Sequence, residues 1–369
     1  MLNNLKTIAQ LISKEIDQIN FNIFEIHNTL LSDVLNQIKL LSLSGKRIRA
    51  ALLIMSYLAF FEDKDLNNIK DTAPEVIEFA ILVELMHTYL LILDDVMDNG
   101  TDRRGIKTMH EFAKENIKNK YKNIRLSEDN LNHICNSIAI SFGACLNHIA
   151  NYFLFSNIKK DCVDKSIIDA YIFLNKILAE TGYGQSLDML FQIELSANQD
   201  DILKVCELKT AKYTFWMPIK IGLILAGIEE NKISDSFFWY SYYAGIAFQI
   251  KDDLISIYGD KTKLGKSNSS DIKEGKRTLL LIKAIELASK EELKIILETV
   301  GNKNADLDSI ENVKEIIEKT GAKKYSEDMC INFVAKAQEE LNKIKHYFRN
   351  KESLDFFDGI LDFIVNRDS

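Results

Sequence analysis

The chain has 369 residues, 47% of them hydrophobic and 27% charged, with a formal net charge of −8 and a pI near 5.5. That acidic balance excludes a dominant basic field of the kind that draws a protein to nucleic acid or to an anionic membrane. Only two prolines and 15 glycines interrupt a length that can bury a large core, so few positions break a helix.

The opening MLNNLKTIAQLISKEIDQ has no basic region followed by an uninterrupted apolar one, and reads as an amphipathic helix rather than a leader. Helical periodicity runs to about Leu40, resumes from Arg47 to Phe61 and returns from Pro74 to Asp98, with Pro74 suited to a first turn. Its most apolar stretch, Phe79 to Leu93, is broken by Glu84, His87 and Thr88 and falls short of the ~20 residues a bilayer needs, which predicts a buried central helix and no integral membrane span. Lys114 to Asn130 is lysine- and asparagine-rich and predicts a solvated helix with a loop. Further helices are expected over Ile134–Ile158, Lys165–Leu190, Asp200–Leu225 and Ser234–Tyr258. The stretch GDKTKLGKSNSSDIKEGKRT follows as the clearest irregular segment, and amphipathic pieces after Leu279 complete a helical bundle. Strand signals are scarce, no 20–50-residue repeat appears and no composition break divides the chain. The expectation is one all-α domain over residues 1–369. Cys135, Cys145, Cys162, Cys206 and Cys330 are odd in number and lack CxxC spacing, which predicts free thiols in a reducing compartment, without disulfide or zinc. With no leader, that predicts a cytoplasmic protein.

Two carboxylate groups follow apolar helical runs: Asp94, Asp95 and Asp98 in LLILDDVMDNGTDRRG, and Asp252 and Asp253 in AFQIKDDLISIYGD. At 3.6 residues per turn Asp94 and Asp98 share a helix face about 5 to 6 Å apart, and their charges repel unless a cation lies between them. Hard carboxylate oxygens without a cluster of imidazoles or thiolates point to Mg²⁺. Magnesium takes one or two protein carboxylates plus waters and phosphate oxygens, so the third party is a phosphorylated substrate. A solvated acidic helix end is the alternative for either group alone; the presence of two weakens it. A diphosphate would also need cations from the protein. Four compact groups offer them: Lys46, Arg47 and Arg49 in GKRIRA, the pair Arg103 and Arg104, Lys209 with Thr210, and the loop pair Lys266 and Lys276.

Taken together, DDVMDNGTDRRG, the upstream GKRIRA, KTAKYTFWMP and FQIKDDLISIYGDKTKLGKSNSSDIKEGKRTLL resemble the trans-isoprenyl diphosphate synthase family, in the family's order from about Gly45 to Leu280. The likeness is to its short-chain farnesyl and geranylgeranyl diphosphate synthases, with an archaeal-like second motif. It implies an all-helical fold whose central cavity holds three Mg²⁺, an allylic diphosphate and isopentenyl diphosphate, in a homodimer. It implies that Asp94, Asp95 and Asp98 form the first metal motif, and Asp252 and Asp253 the second. Lys46, Arg49, His87 and Arg104, with Gly45 beside them, match the isopentenyl diphosphate site. Arg103, Lys209, Thr210, Gln249, Lys266 and Lys276 match the allylic side, with Gln185 and Asp188 in support. Departures are Ala50 where proline is frequent, Ala144 where aspartate is common, and Ser256 at the last aspartate of the second motif. With Asp260 following, DDLISIYGD also resembles the serine-bearing metal motif of class I terpene cyclases.

The implied reaction is ionisation of the allylic C–O bond, attack by the double bond of isopentenyl diphosphate and loss of a proton to the released diphosphate. Tyr89 and Leu90 lie about one turn before Asp94 and would set product length. A bulky Tyr89 resembles the stop of C20 synthases, with C15 the rival. A terpene cyclase needs no second diphosphate site, against which Lys46, Arg49 and Arg104 speak. A catalytically silent partner subunit would be expected to have lost its aspartates.

Overall fold

The computed structural model describes residues 1–21, 28–123, 125–158, 164–194, 197–228, 232–259 and 270–367. The chain divides into two compact units, one of Asn3–Ile54 and Lys64–Asp164, the other of Met1–Leu2, Met55–Asp63 and Lys165–Ser369.

In the first unit, α1 (Leu2–Gln18) buries Leu5, Ile8, Ile12 and Ile16, a three-to-four-residue spacing that puts one apolar stripe inward. Helix α2 (Thr29–Leu43) starts at Asn28, whose side chain accepts from the amides of Leu30 at 3.0 Å and Leu31 at 3.4 Å and so satisfies donors the helix cannot. Next come α3 (Ile48–Leu58), which runs on into the second unit, the single turn α4 (Ile69–Thr72) and α5 (Pro74–Met97), which opens on its proline as expected. Helix α5 is apolar around most of its circumference, as a central helix must be, and packs along α7 (Glu128–Asn157). At Gly143 of α7 a β-carbon would make ordinary contact with α5, 3.4 Å from Ile92 Cγ2 and 3.7 Å from Tyr89 Cδ2. Between them, β1 (Asp102–Arg103) and β2 (Ile106–Lys107) form a small antiparallel hairpin, and α6 (Met109–Lys120) follows. The hairpin turns through Arg104 and Gly105 with φ of 57° and 75°, the pair of left-handed residues that a tight two-residue turn demands.

In the second unit, α8 (Lys165–Phe191) precedes α9 (Gln199–Cys206), which widens into a π-helix over Glu207–Trp216 before α10 (Met217–Leu225). Helix α11 (Lys232–Tyr258) packs against the π-helix, α16 (Ala322–Ile344) and α17 (Lys351–Asn366). Around them lie α12 (Ser270–Glu274), α13 (Leu279–Leu287), α14 (Lys290–Thr299) and α15 (Leu307–Lys319). Fully buried Phe237, Tyr240 and Phe357 fasten α11 to α17, with Tyr240 donating to the Phe357 carbonyl at 2.8 Å.

The all-α class is as the sequence predicts. Four details differ. The hairpin is too short to carry an alternating pattern. Helix α6 starts at Met109, ahead of the lysine-rich stretch. Segment 259–278 contains the short helix α12 where irregular chain was expected. The expected continuous helix from Asp200 to Leu225 holds a π-helix at its centre. The span argument changes too. Helix α5 runs 24 residues and α7 runs 30, so both are long and apolar enough to cross a bilayer. The most apolar window of α5 is 67% buried, as befits a core helix, against 33% for α7. Cys135, Cys145, Cys206 and Cys330 are free thiols; Cys162 lies outside the described residues.

Candidate active site

In the first unit the carboxylates sit at the C-terminal end of α5, where a helix presents its negative pole and needs positive partners. Arg103 on β1 supplies one. Its Nε donates to both oxygens of Asp95 at 2.9 Å, and its Nη2 to Asp95 Oδ1 at 2.5 Å and Asp94 Oδ2 at 3.3 Å. Burial alone would lower the Arg103 pKa, but Asp95, Asp94 and Asp98 outweigh it and raise it. Asp95 is 2% exposed and Asp98 9%, while the Asp94 side chain keeps 25% of its surface.

A second feature of this unit is a crowd of cations. Burial depresses the His87 pKa well below 6.5, and the charges of Arg49, Arg104, Arg103 and Arg47 push it further down, so the imidazole is neutral at pH 7. Arg104 is itself lowered by burial and then by Arg103 and Arg49. Like charges held this close make a ready site for a polyanion. Gly45, with φ of 117°, leaves room for the Arg104 guanidinium, whose Nη1 would collide with a β-carbon there and whose Cζ would lie 3.2 Å from it. Lys46 is exposed and Arg49 half-buried.

Arg47 departs from the expected role. It is 2% exposed, and it donates from Nη1 to Glu84 Oε2 at 3.2 Å and from Nη2 to the Ser42 carbonyl at 2.5 Å and Ser13 Oγ at 3.2 Å. Glu84 Oε1 also accepts from the Ala50 amide at 3.1 Å. Arg47, at a left-handed φ of 56°, therefore braces the loop that presents Lys46 and Arg49 instead of facing an anion.

The second unit gathers another set. Lys209 Nζ pairs with Asp188 Oδ2 of α8 at 2.8 Å. Thr210 Oγ1 donates to Gln249 Oε1, and Gln249 Nε2 to Asp253 Oδ1 at 2.8 Å. Lys209 and Thr210 are consecutive residues of the π-helix, a distortion that recurs at functional sites. Glycines from both sides let it pack. A β-carbon at Gly184 of α8 would sit 2.7 Å from Leu208 Cβ, and one at Gly245 of α11 would overlap Ala211. Asp253 is 9% exposed, and burial followed by the charge of Asp271 raises its pKa well above 3.8, a penalty that a bound cation relieves. Ser256 Oγ donates to Asp271 Oδ2 at 2.5 Å, and Lys276 Nζ lies 3.7 Å from Asp271 Oδ1 and 3.1 Å from Glu274 Oε2. The Asp252 side chain is 59% exposed and pairs with Arg367 at 3.1 Å.

Asp271, Glu84 and Arg367 carry no local motif and were not anticipated. Asp271 stood in the stretch read as irregular, and Arg367 lies just past α17, far along the chain from Asp252. Lys266 and Asp260 lie outside the described residues. The donor chemistry fits magnesium. Both groups offer carboxylate oxygen, and the nearby Cys206 is held as a thiol because burial, then Asp253 and Asp188, raise its pKa well above 9.0. Among the described residues no three His, Cys, Asp or Glu side chains form a closed cage. A magnesium ion that shares its shell with waters and phosphate needs none.

The sequence matches the family described as polyprenyl synthetase over residues 29–318. It is 30% identical over 307 residues to the geranylgeranyl diphosphate synthase of Sulfolobus acidocaldarius, covering 81% of each chain. It is 31% identical over 278 residues to a short chain isoprenyl diphosphate synthase of Methanocaldococcus jannaschii, covering 75% of this chain and 74% of the other. The crystal structure of a geranylgeranyl pyrophosphate synthase from Corynebacterium glutamicum, complexed with isoprenyl diphosphate and magnesium, has the same fold, with a TM-score of 0.85 at 24% identity over 99% of this chain and 98% of that one.

Proposed function

We propose, since the chain belongs to the polyprenyl synthetase family and is a trans-prenyltransferase, that it condenses isopentenyl diphosphate with an allylic diphosphate into a short all-trans prenyl diphosphate, with geranylgeranyl diphosphate as the principal product. The observation that carries this reading is the arginine crowd around a neutral His87 on the same helix as Asp94, Asp95 and Asp98. A terpene cyclase, which ionises one diphosphate, has no use for it.

In this reading Lys46, Arg49, Arg104 and His87 hold isopentenyl diphosphate, with His87 donating one N–H from its neutral ring. Gly45 keeps Arg104 in place by leaving it room. Asp94, Asp95 and Asp98 in one unit, and Asp252 and Asp253 in the other, are the magnesium ligands. Asp95 also fixes Arg103; by resemblance to the family, Arg103, Lys209, Lys266 and Lys276 supply charge for the allylic diphosphate. Thr210 and Gln249 hold each other and Asp253 in register beside that group. Magnesium, about three ions by analogy with the family, would neutralise the charge that builds on the departing diphosphate. The apolar face of α5 around Tyr89 and Leu90 shields the growing chain from water and ends it.

The names of the two relatives support the short product, and the name of the C. glutamicum complex supports the metal and the diphosphate. The chain would work as one synthase domain in the cytoplasm, without an integral span, and as a homodimer. Exposed Ile134, Ile140, Tyr152 and Phe155 of α7 support the dimer, because apolar side chains of that size gain most from burial. The test is incubation of the purified chain with Mg²⁺, labelled isopentenyl diphosphate and each allylic primer. A labelled elongated product is expected. Asp94→Ala and Asp252→Ala, shown folded by circular dichroism, should each lose on the order of a hundredfold or more of the rate. Wild-type rates in both would end the metal assignment, and cyclic hydrocarbon from one diphosphate would replace this reading with that of a cyclase.

A further inference from the structure

Arg367 closes α17, with its amide donating to the Phe363 carbonyl at 3.0 Å, and its side chain is 6% exposed. The guanidinium is held on several sides by a single turn of α11. Its Cζ lies 3.8 Å from the centroid of the Phe248 ring, and Nη2 donates to the Phe248 carbonyl at 2.8 Å and to Asp252 Oδ1 at 3.1 Å. Phe248 and Asp252 are four residues apart, so one guanidinium clamps the turn that carries the acid group. Burying an arginine is costly unless it is paired and hydrogen-bonded; this turn gives Nη2 both compensations, while Nε is buried without a hydrogen-bond partner among the described residues. Asp252 is the reverse case, with 59% of its side chain exposed, so packing does little to hold it.

We propose that Arg367 is a positioning residue for Asp252, fixing the carboxylate through Oδ1 and leaving Oδ2 turned to a divalent cation. The inference rests on the reading of Asp252 as a magnesium ligand. A carboxylate held by one oxygen binds a metal without first losing its rotational freedom, and hydrogen-bond partners of ligating carboxylates typically set metal affinity by about 10–100-fold. Because the arginine is planar and stacked on Phe248, it can keep its place when the second oxygen is engaged.

The experiment is calorimetric binding of inorganic pyrophosphate to the full chain over a series of Mg²⁺ concentrations, for wild type, Asp252→Ala, Arg367→Ala and Arg367→Gln, with thermal midpoints measured alongside. Asp252→Ala should shift the Mg²⁺ dependence upward. Arg367→Ala should shift it the same way by about 10–100-fold, with pyrophosphate binding restored at saturating Mg²⁺. Arg367→Gln, which keeps an N–H donor without the charge, should recover part of the shift. A lowered thermal midpoint with unmoved Mg²⁺ dependence would make Arg367 a packing residue only and overturn the proposal. Tighter Mg²⁺ dependence in both Arg367 variants would overturn it too, showing a competing charge. If Asp252→Ala itself leaves the Mg²⁺ dependence unchanged, the ligand reading of Asp252 fails first. Should Arg367→Ala not fold, Phe248→Leu removes the stacking surface and is expected to give a smaller shift in the same direction.

Discussion

At the scale of single residues, His87 shows how neighbours set chemistry. Its folded pKa lies well below 6.5, because of burial and then four arginines, while in the unfolded chain it titrates near 6.5. Unfolding therefore takes up a proton below about pH 6.5. The stability tied to the neutral ring is fully present above that pH and is lost as pH falls toward the depressed value. His87→Gln should flatten this loss: the fall in thermal midpoint between pH 7.5 and 5 is expected to be smaller than in wild type, as read by differential scanning fluorimetry. Tyr89 makes a different case. Its ring faces Gly143 of α7 with room for a methyl group between them, Cδ2 lying 3.7 Å from where a β-carbon would stand. Tyr89→Ala is expected to lengthen the prenyl product by at least one C5 unit in mass spectrometry; an unchanged length would remove Tyr89 as the stop.

At the scale of elements, the π-helix of Glu207–Trp216 governs the second unit. Gly245 meets it where any β-carbon would overlap Ala211. Gly245→Ala is expected to cost about 1–3 kcal/mol of stability by overpacking and, because Lys209 and Thr210 ride on the displaced turns, to weaken inorganic pyrophosphate binding. Chemical denaturation and calorimetry measure the two effects. None of this was legible in ELKTAKYTFW, which carries ordinary helix formers; a widened turn is set by the helices packed around it. The start of α5 was legible because Pro74 suits only a first turn. The acid groups and their cations were legible as motifs, yet the direction of Arg47 was not. A left-handed arginine braced by Glu84 has no sequence mark, and Asp271 was hidden in polar chain with no helical period.

At the scale of the whole molecule, the acidic net charge sits uneasily with polyanionic substrates, and the described cations resolve this by local concentration. Arginines gather around His87 in one unit, and Lys209, Lys276 and Arg367 stand among aspartates in the other. Such a chain should gain stability from its ligands. With inorganic pyrophosphate and Mg²⁺ at about a hundred times their dissociation constant, the folded state is expected to gain about 2.7 kcal/mol, seen as a raised thermal midpoint that EDTA reverses. Pyrophosphate without Mg²⁺ should give much less, since Asp253 already lies among like charges.

The wide turns after Cys206 also bear on how this gene could be altered. Each residue in an α-helix advances the chain by about 100° around the axis, so losing one from a regular helix turns everything beyond it by that angle. A single-codon deletion inside Glu207–Trp216 would let the segment relax into ordinary α-helix without shortening any neighbouring element. Because an i→i+5 ladder already absorbs one extra residue, the helices on either side would keep their facing, while Lys209 or Thr210, carried on the widened turns, would part from Asp188 or Gln249. A version of this enzyme lacking one of these ten residues should therefore keep its helix packing and lose the pairs that Lys209 and Thr210 make.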